Sequence, residues 1–237
     1  MNLVVSAILM CLVLMAAPAA AEWYADVYAG QSLTLSDDVT VHSPAGLSIY
    51  RDVEFDRSLI FGGRFGRYLD RVPFLGLGLD VFRFVPTIGP QQFQVDGCVP
   101  SGGCSGGQGG TGRIDVTTIA VSPELLLRLS LLKSEAAPRG LLQPYISAGV
   151  PVFVTTVTPR TTAQFRNQQG DTTFSLGYKA GAGLAFQVVS NLMVFVEYRY
   201  THADVSVDLR DSASLKQTPF SFNLDTHSAV MGLSARW

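Results

Sequence analysis

The chain has 237 residues, 47% hydrophobic and only 15% charged, with a formal net charge of −2. So low a charged fraction, set against roughly 25% in soluble domains, argues against an ordinary water-facing surface and for apolar residues dispersed by alternation. The absence of a net positive charge argues against a nucleic-acid binder, for which a basic patch is expected.

The first segment, Met1–Ala21, holds an apolar run from Leu3 to Ala17, then Pro18 and Ala19-Ala20-Ala21. This is the pattern of a secretory signal peptide with an A-x-A cleavage site, although the n-region carries only its α-amino group. An uncleaved anchor helix is the alternative. Cleavage gives a mature chain from Glu22, leaving Cys98 and Cys104 as an even pair after Cys11 is lost. In an exported chain that pair is expected to form a disulfide, stabilising by roughly 2 kcal/mol through closure of a short loop. The rivals are a metal site and two free thiols.

No stretch beyond the first segment approaches the ~18 uninterrupted apolar residues of a spanning helix. Eight alternating segments follow instead. Trp23–Leu35 sets Trp23, Ala25, Val27, Ala29 and Leu33 against Asp26, Gly30, Ser32 and Thr34. A polar stretch, Ser36–Phe55, leads to the second strand, with Leu59, Phe61 and Phe65 opposed to Ser58, Gly62 and Arg64. After Asp70–Pro73, the third sets Leu75, Leu77, Leu79 and Val81 against Gly76, Gly78 and Asp80. Pro86–Gly112 reads as a long Gly- and Ser-rich loop holding the cysteines. The fourth, Ile114–Leu131, opposes Ile119, Val121, Leu125, Leu127 and Leu129 to Thr118, Ser122, Glu124 and Arg128; Pro123 predicts a bulge or break.

A turn near Glu135–Gly140 precedes the fifth strand, where Ile146 to Val154 alternate with Tyr145, Ser147 and Gly149. The loop Thr158–Asp171 follows. The sixth sets Phe174, Leu176, Tyr178, Leu184 and Phe186 against Gly177, Lys179, Gly181 and Gly183. The seventh, Leu192–Thr201, puts Leu192, Val194, Val196, Tyr198 and Tyr200 on one face and Met193, Phe195, Glu197, Arg199 and Thr201 on the other. The eighth, Thr226–Trp237, opposes Ala229, Met231, Leu233 and Trp237 to Ser228, Gly232 and Arg236. Period two marks two-faced strands, and about ten residues suffice for a tilted strand to cross a bilayer.

Alternation alone permits two barrels. A soluble one puts the apolar face inside; a membrane one puts it in lipid. The minor face is rich in Gly and Ser, which suits a crowded, tightly curved interior. Aromatics at strand ends fit membrane girdles. An Arg or Lys facing lipid near the midplane costs ~2–4 kcal/mol. Asp26, Arg64, Asp80, Glu124, Arg128, Lys179, Glu197, Arg199 and Arg236 are therefore expected to turn inward as a lumen charge network. Eight strands leave a lumen that side chains just fill, so a plugged tube is expected. The fold class is thus all-β, an eight-stranded antiparallel transmembrane up-and-down β-barrel over 22–237, with outer-membrane lipid as its surroundings.

Three segments carry a family resemblance: FVEYRYT at Phe195–Thr201, the small-residue strand GYKAGAGLAF before it, and the terminal GLSARW. They resemble the eight-stranded outer-membrane barrels of the opacity-protein and OmpA-barrel type. The resemblance implies a Gram-negative outer-membrane location; with nothing after the eighth strand, the peptidoglycan-binding domain of full OmpA proteins is expected to be absent. It also implies a carboxy-terminal assembly signal read by the barrel-assembly machinery, here Trp237 with Leu233 and Met231 in phase.

Chemistry is sparse. Gly107-x-Gly109-x-x-Gly112 matches a dinucleotide fingerprint by letter but has no helix signal after it. His42-Ser43 and His227-Ser228 are adjacent, so within a strand they point to opposite faces. His202 and Ser206 share a face but lie about 13 Å apart at 3.3 Å per residue. No enzyme, cofactor or metal site is expected, and a lipid A-modifying enzyme is the less favoured alternative. The leading expectation is a structural or surface-interaction role, adhesin- or opacity-like, in which exposed loops meet a host or environmental ligand. The alternative is a narrow channel for small solutes or apolar molecules.

Overall fold

A computed structural model describes residues 22–43, 46–99, 103–111, 113–135, 137, 139–159, 168–169, 171–211 and 217–237. The expected signal segment lies outside the described residues. Among them the regular structure is all strand, and no helix is long and apolar enough to cross a membrane.

In chain order come β1 (Trp23–Thr34), a hairpin of β2 (Asp37–Ser43) and β3 (Gly46–Val53), β4 (Ser58–Leu69) and β5 (Val72–Phe84). The short β6 (Thr87–Ile88) precedes a second hairpin, β7 (Gln91–Val99) and β8 (Gly103–Thr111), then β9 (Ile114–Arg128). After β10 (Leu142–Gly149) and β11 (Val152–Pro159) come β12 (Gln168–Gln169), β13 (Asp171–Val189), β14 (Leu192–Asp211) and β15 (Gln217–Arg236).

Eight staves close a ring, with β10 and β11 together forming the fifth. Its closure can be followed residue by residue. Tyr24 pairs with Gly66, Gly66 with Gly78, Gly78 with Glu124 and Glu124 with Gly149. Gly149 then pairs with Lys179, Lys179 with Thr201, Thr201 with Thr226 and Thr226 with Thr34. The circuit starts at Tyr24 and ends at Thr34, a stagger of ten residues on β1. Such a stagger makes the strands lean by roughly 35–45° from the barrel axis.

The two faces divide as alternation requires. Val27, Leu59, Leu129, Leu176 and Met231 project from the outside of the ring. Asp26, Arg64, Asp80 and Arg199 lie within it. Inward glycines leave room for rings from neighbouring strands. A Cβ at Gly66 would stand 2.4 Å from the Tyr24 hydroxyl, and one at Gly183 would stand 2.5 Å from Cζ of Tyr145. A strand without side chains at these points lets an aromatic ring lie flat across the lumen wall.

Three features differ from the sequence reading. First, the long segments after β1 and β5 are not merely irregular loops. Val39, Val53 and Phe55 are buried, and β2, β3, β7 and β8 extend the sheet beyond β15. Arg51 ties this extension together, reaching Asp38 at 2.6 Å and Asp96 at 3.0 Å. Second, Pro123 causes no bulge, since β9 keeps register with β5 through the Leu79–Pro123 pair. Proline lacks an N–H, but its carbonyl still accepts from Val150 N at 3.2 Å; the interruption falls across the pairing, between β10 and β11. Third, β13, β14 and β15 run about 20 residues each, twice the length a bilayer needs.

Candidate functional site: the barrel lumen

Seen from the end where Glu22 and Trp237 lie, the lumen holds three successive tiers. The first surrounds Glu22. Arg128 grips its carboxylate through both Nη atoms, with Nη1 to Oε1 at 2.9 Å. Arg139 and Arg236 stand 3.9 and 4.0 Å from the same group. Arg128 lies 3.5 Å above the Tyr68 ring, and Arg236 covers both Tyr24 and Tyr68. Burial alone raises the Glu22 pKa, but the Arg128 hydrogen bonds and the surrounding guanidinium charges outweigh it, holding it below the ordinary value.

The second tier is a continuous ionic network. Arg64 meets Glu124 at 2.5 Å, Glu197 at 2.7 Å and Asp26 at 3.6 Å. Lys179 bridges Asp80 at 2.6 Å and Glu124. Arg199 reaches Asp80 at 3.2 Å and Glu197 at 2.9 Å. Hydroxyls complete the carboxylates: Tyr28 donates to Asp80, Tyr145 to Glu197 and Ser234 to Asp26. Every charged side chain of this tier is at most 3% exposed. Removing a charge from water costs several kcal/mol, offset only where partners surround it. Here each acid faces a base.

The third tier is apolar. Phe82 stacks beside Phe84 and meets Phe153 edge-on at 6.2 Å. Ile60, Ala203, Val205, Phe222 and Leu224 continue the cluster toward the far end. Phe82 marks the boundary, with Arg199 and Lys179 lying 5.1 and 5.8 Å from its ring.

Of the nine inward charges read from the sequence, seven converge in the second tier. Arg128 and Arg236 sit apart, around Glu22. Glu22 itself escaped the sequence reading, because it precedes the first alternating strand. Tyr145 was read only as a member of the inward phase, and Tyr28, which was not read, shares that phase with Asp26 and Gly30. Cys98 and Cys104 occupy directly opposed backbone positions in the β7–β8 hairpin; their side chains lie outside the described set. Met231, Leu233 and Trp237 all face outward, and Trp23 and Trp237 exchange backbone hydrogen bonds at 2.9 and 3.2 Å.

The histidines do not assemble a catalytic set with Ser206. His202 meets Asp225 at 2.7 Å, while Ser206 bonds Ser221. The His42 side chain lies outside the described set. Gly107 and Gly109 lie within strand β8, not in a loop leading to a helix. Among the described residues no three His, Cys, Asp or Glu side chains form a group that could hold a metal ion.

Residues 7–227 match the family model of the outer membrane protein beta-barrel domain. No curated protein matches the sequence. The fold is similar to that of the outer membrane protein OprG from Pseudomonas aeruginosa, at 13% identity and a TM-score of 0.57, covering 92% of this chain and 96% of that one. Neisserial surface protein A matches at 12% identity and a TM-score of 0.47, covering 91% and 97%. The N-terminal barrel domain of Pseudomonas aeruginosa OprF matches at 10% identity and 0.45, also covering 91% and 97%.

Proposed function

This chain belongs to the outer membrane protein beta-barrel domain family of the Gram-negative outer membrane, and we propose that it is a surface-interaction protein with a closed lumen. The observation supporting closure is the sequence of tiers. An ion entering from the terminal end meets a network whose charges already have partners, then a layer of phenylalanine and aliphatic side chains. Crossing that layer would strip its hydration with nothing in return. Activity then falls to the far end, where β2, β3, β7 and β8 stand above the bilayer as a rigid sheet for loop tips to decorate. The partner is a host or environmental surface ligand.

Three further assignments belong to this reading. The signal segment is removed before Glu22. The barrel-assembly machinery reads Trp237, Leu233 and Met231 from the lipid side of β15. Cys98 and Cys104 form a disulfide, because opposed antiparallel residues have Cα atoms about 4.5–5.5 Å apart, within the range a disulfide spans.

Planar-bilayer recording of the folded protein tests the reading. A flat baseline is expected. Steady ion-selective openings would make the protein a channel and remove the argument for a purely external role.

A further inference from the structure

At the Glu22 end the mouth of the lumen holds more guanidinium groups than its one carboxylate can serve. Two-residue turns, Asp70–Arg71 and Ser190–Asn191, lie at this end, and in such barrels the short turns are periplasmic. Arg128 is fully engaged. Its Nε donates to the Pro73 carbonyl at 3.2 Å, Nη1 to Glu22 and Gln143, and Nη2 to Glu22. Arg139 and Arg236 turn toward the same carboxylate, but at 3.9 and 4.0 Å they stand beyond hydrogen-bond reach.

Arg236 is the unusual member. Its side chain is only 6% exposed, yet Nε and Nη1 make no hydrogen bond among the described residues. The rings of Tyr24 and Tyr68, at 5.1 and 5.2 Å, attract its charge, but buried N–H groups without an acceptor are costly. Arg139 stands at the rim, one-third exposed, where Nη1 donates to the Ser190 carbonyl at 3.4 Å. The set therefore runs from solvent inward. Three guanidinium groups face one carboxylate, which leaves two positive charges in excess.

We propose that this mouth binds a phosphate dianion from the periplasmic side, with Arg139 and Arg236 as its ligands and Glu22 as a tethered carboxylate competing for them. Guanidinium forks match carboxylate and phosphate oxygens alike, so charge decides between the candidates. Inorganic phosphate or a phosphomonoester carries about −1.5 to −2 at pH 7, which balances the excess. A lone carboxylate or a phosphodiester carries one charge and does not. Phospholipid heads are joined through a phosphodiester, so the favoured source is a soluble phosphate and not the membrane. The site does not depend on whether the lumen is closed.

Isothermal titration calorimetry of the folded protein in an uncharged detergent, at pH 8 and constant ionic strength, tests it. Inorganic phosphate and methyl phosphate should bind saturably at one site per chain. Dimethyl phosphate and acetate should bind about tenfold more weakly or worse. Glu22→Gln keeps the side chain's shape, removes the competing charge and should tighten phosphate binding about fivefold. Arg139→Gln, in a turn outside the barrel wall, should weaken it about tenfold, as should Arg236→Met. Arg113→Gln, at an exposed position preceding β9, should leave it unchanged. Dimethyl phosphate binding as tightly as phosphate would overturn the proposal and point to a lipid head. So would the absence of saturable phosphate binding in both the parent and Glu22→Gln. Undiminished binding by Arg139→Gln or Arg236→Met, in protein whose heat-shifted gel mobility shows a folded barrel, would overturn it as well.

Discussion

Arg64 on β4 donates from Nη2 to Oε2 of Glu197 on β14, 2.7 Å away and 133 residues distant in the chain. The bond spans the lumen rather than following the sheet. It joins the two halves of the charge network, because Glu197 also binds Arg199 and Arg64 also binds Glu124.

Glu197→Ala should therefore destabilise the barrel by about 1–3 kcal/mol, since Arg64 keeps Glu124 and Asp26 and Arg199 keeps Asp80, while buried guanidinium N–H groups and the Tyr145 hydroxyl lose their shared acceptor. Replacing Arg64 and Glu197 together with Met and Leu should cost less than the two single losses added. Urea unfolding of the refolded barrel in detergent measures both. Strict additivity would mean that the pair is not coupled.

Gly183→Ala is expected to be costly for its size. The added methyl would stand 2.5 Å from Tyr145 and 2.7 Å from the Val196 carbonyl oxygen, an overpacking of the kind that costs roughly 1–3 kcal/mol. Gly107 is the control, because a Cβ there meets nothing within 4 Å. The heat-modification midpoint should fall for the first variant and stay for the second.

Val27, 64% exposed on the lipid side, should reject a charge. Val27→Arg is expected to cost about 2–4 kcal/mol, as for a basic residue near the bilayer midplane. Folding efficiency into lipid vesicles reads the loss, and a neutral result would place this face in water.

Glu22 links the terminal end to pH. Its folded pKa lies below the ordinary value of 4.5, so the unfolded chain takes up its proton first as pH falls. Its stabilising contribution is full above about 4.5 and disappears as pH drops through the lower folded value. Glu22→Gln should lower stability at neutral pH and flatten its decline below pH 5. A parallel pH profile for variant and parent would show that Arg128 gains nothing from the carboxylate's charge.

Strand identity and face were legible because each is local: Leu192–Thr201 displays its two faces within ten residues. The inward turn of the nine charges was likewise legible from lipid energetics. Their partners were not, since alternation does not reveal that Lys179 meets Asp80, 99 residues away. The apolar third tier escaped notice because Phe82, Phe84 and Phe153 occupy the inward phase beyond the charged positions, where only stave length and stagger bring them together. The β2–β3 extension escaped for a related reason: Val39 and Val53 are buried by distant strands, so their surroundings read as polar in sequence. Pro123 misled because a strand tolerates the missing N–H when the partner stave is itself interrupted opposite it.

The most direct test of the lipid-facing assignment uses the chain's two tryptophans, Trp23 and Trp237, both near Phe65 on the outside of the terminal end. Their fluorescence should be measured in vesicles of lipids brominated at successive acyl depths. Strong quenching by shallow bromines, fading with depth, is the expected result, with Leu125→Trp adding a deep-quenched component. Tryptophan emission untouched by bromine at every depth, in a protein whose gel mobility shows a folded barrel, would contradict the account.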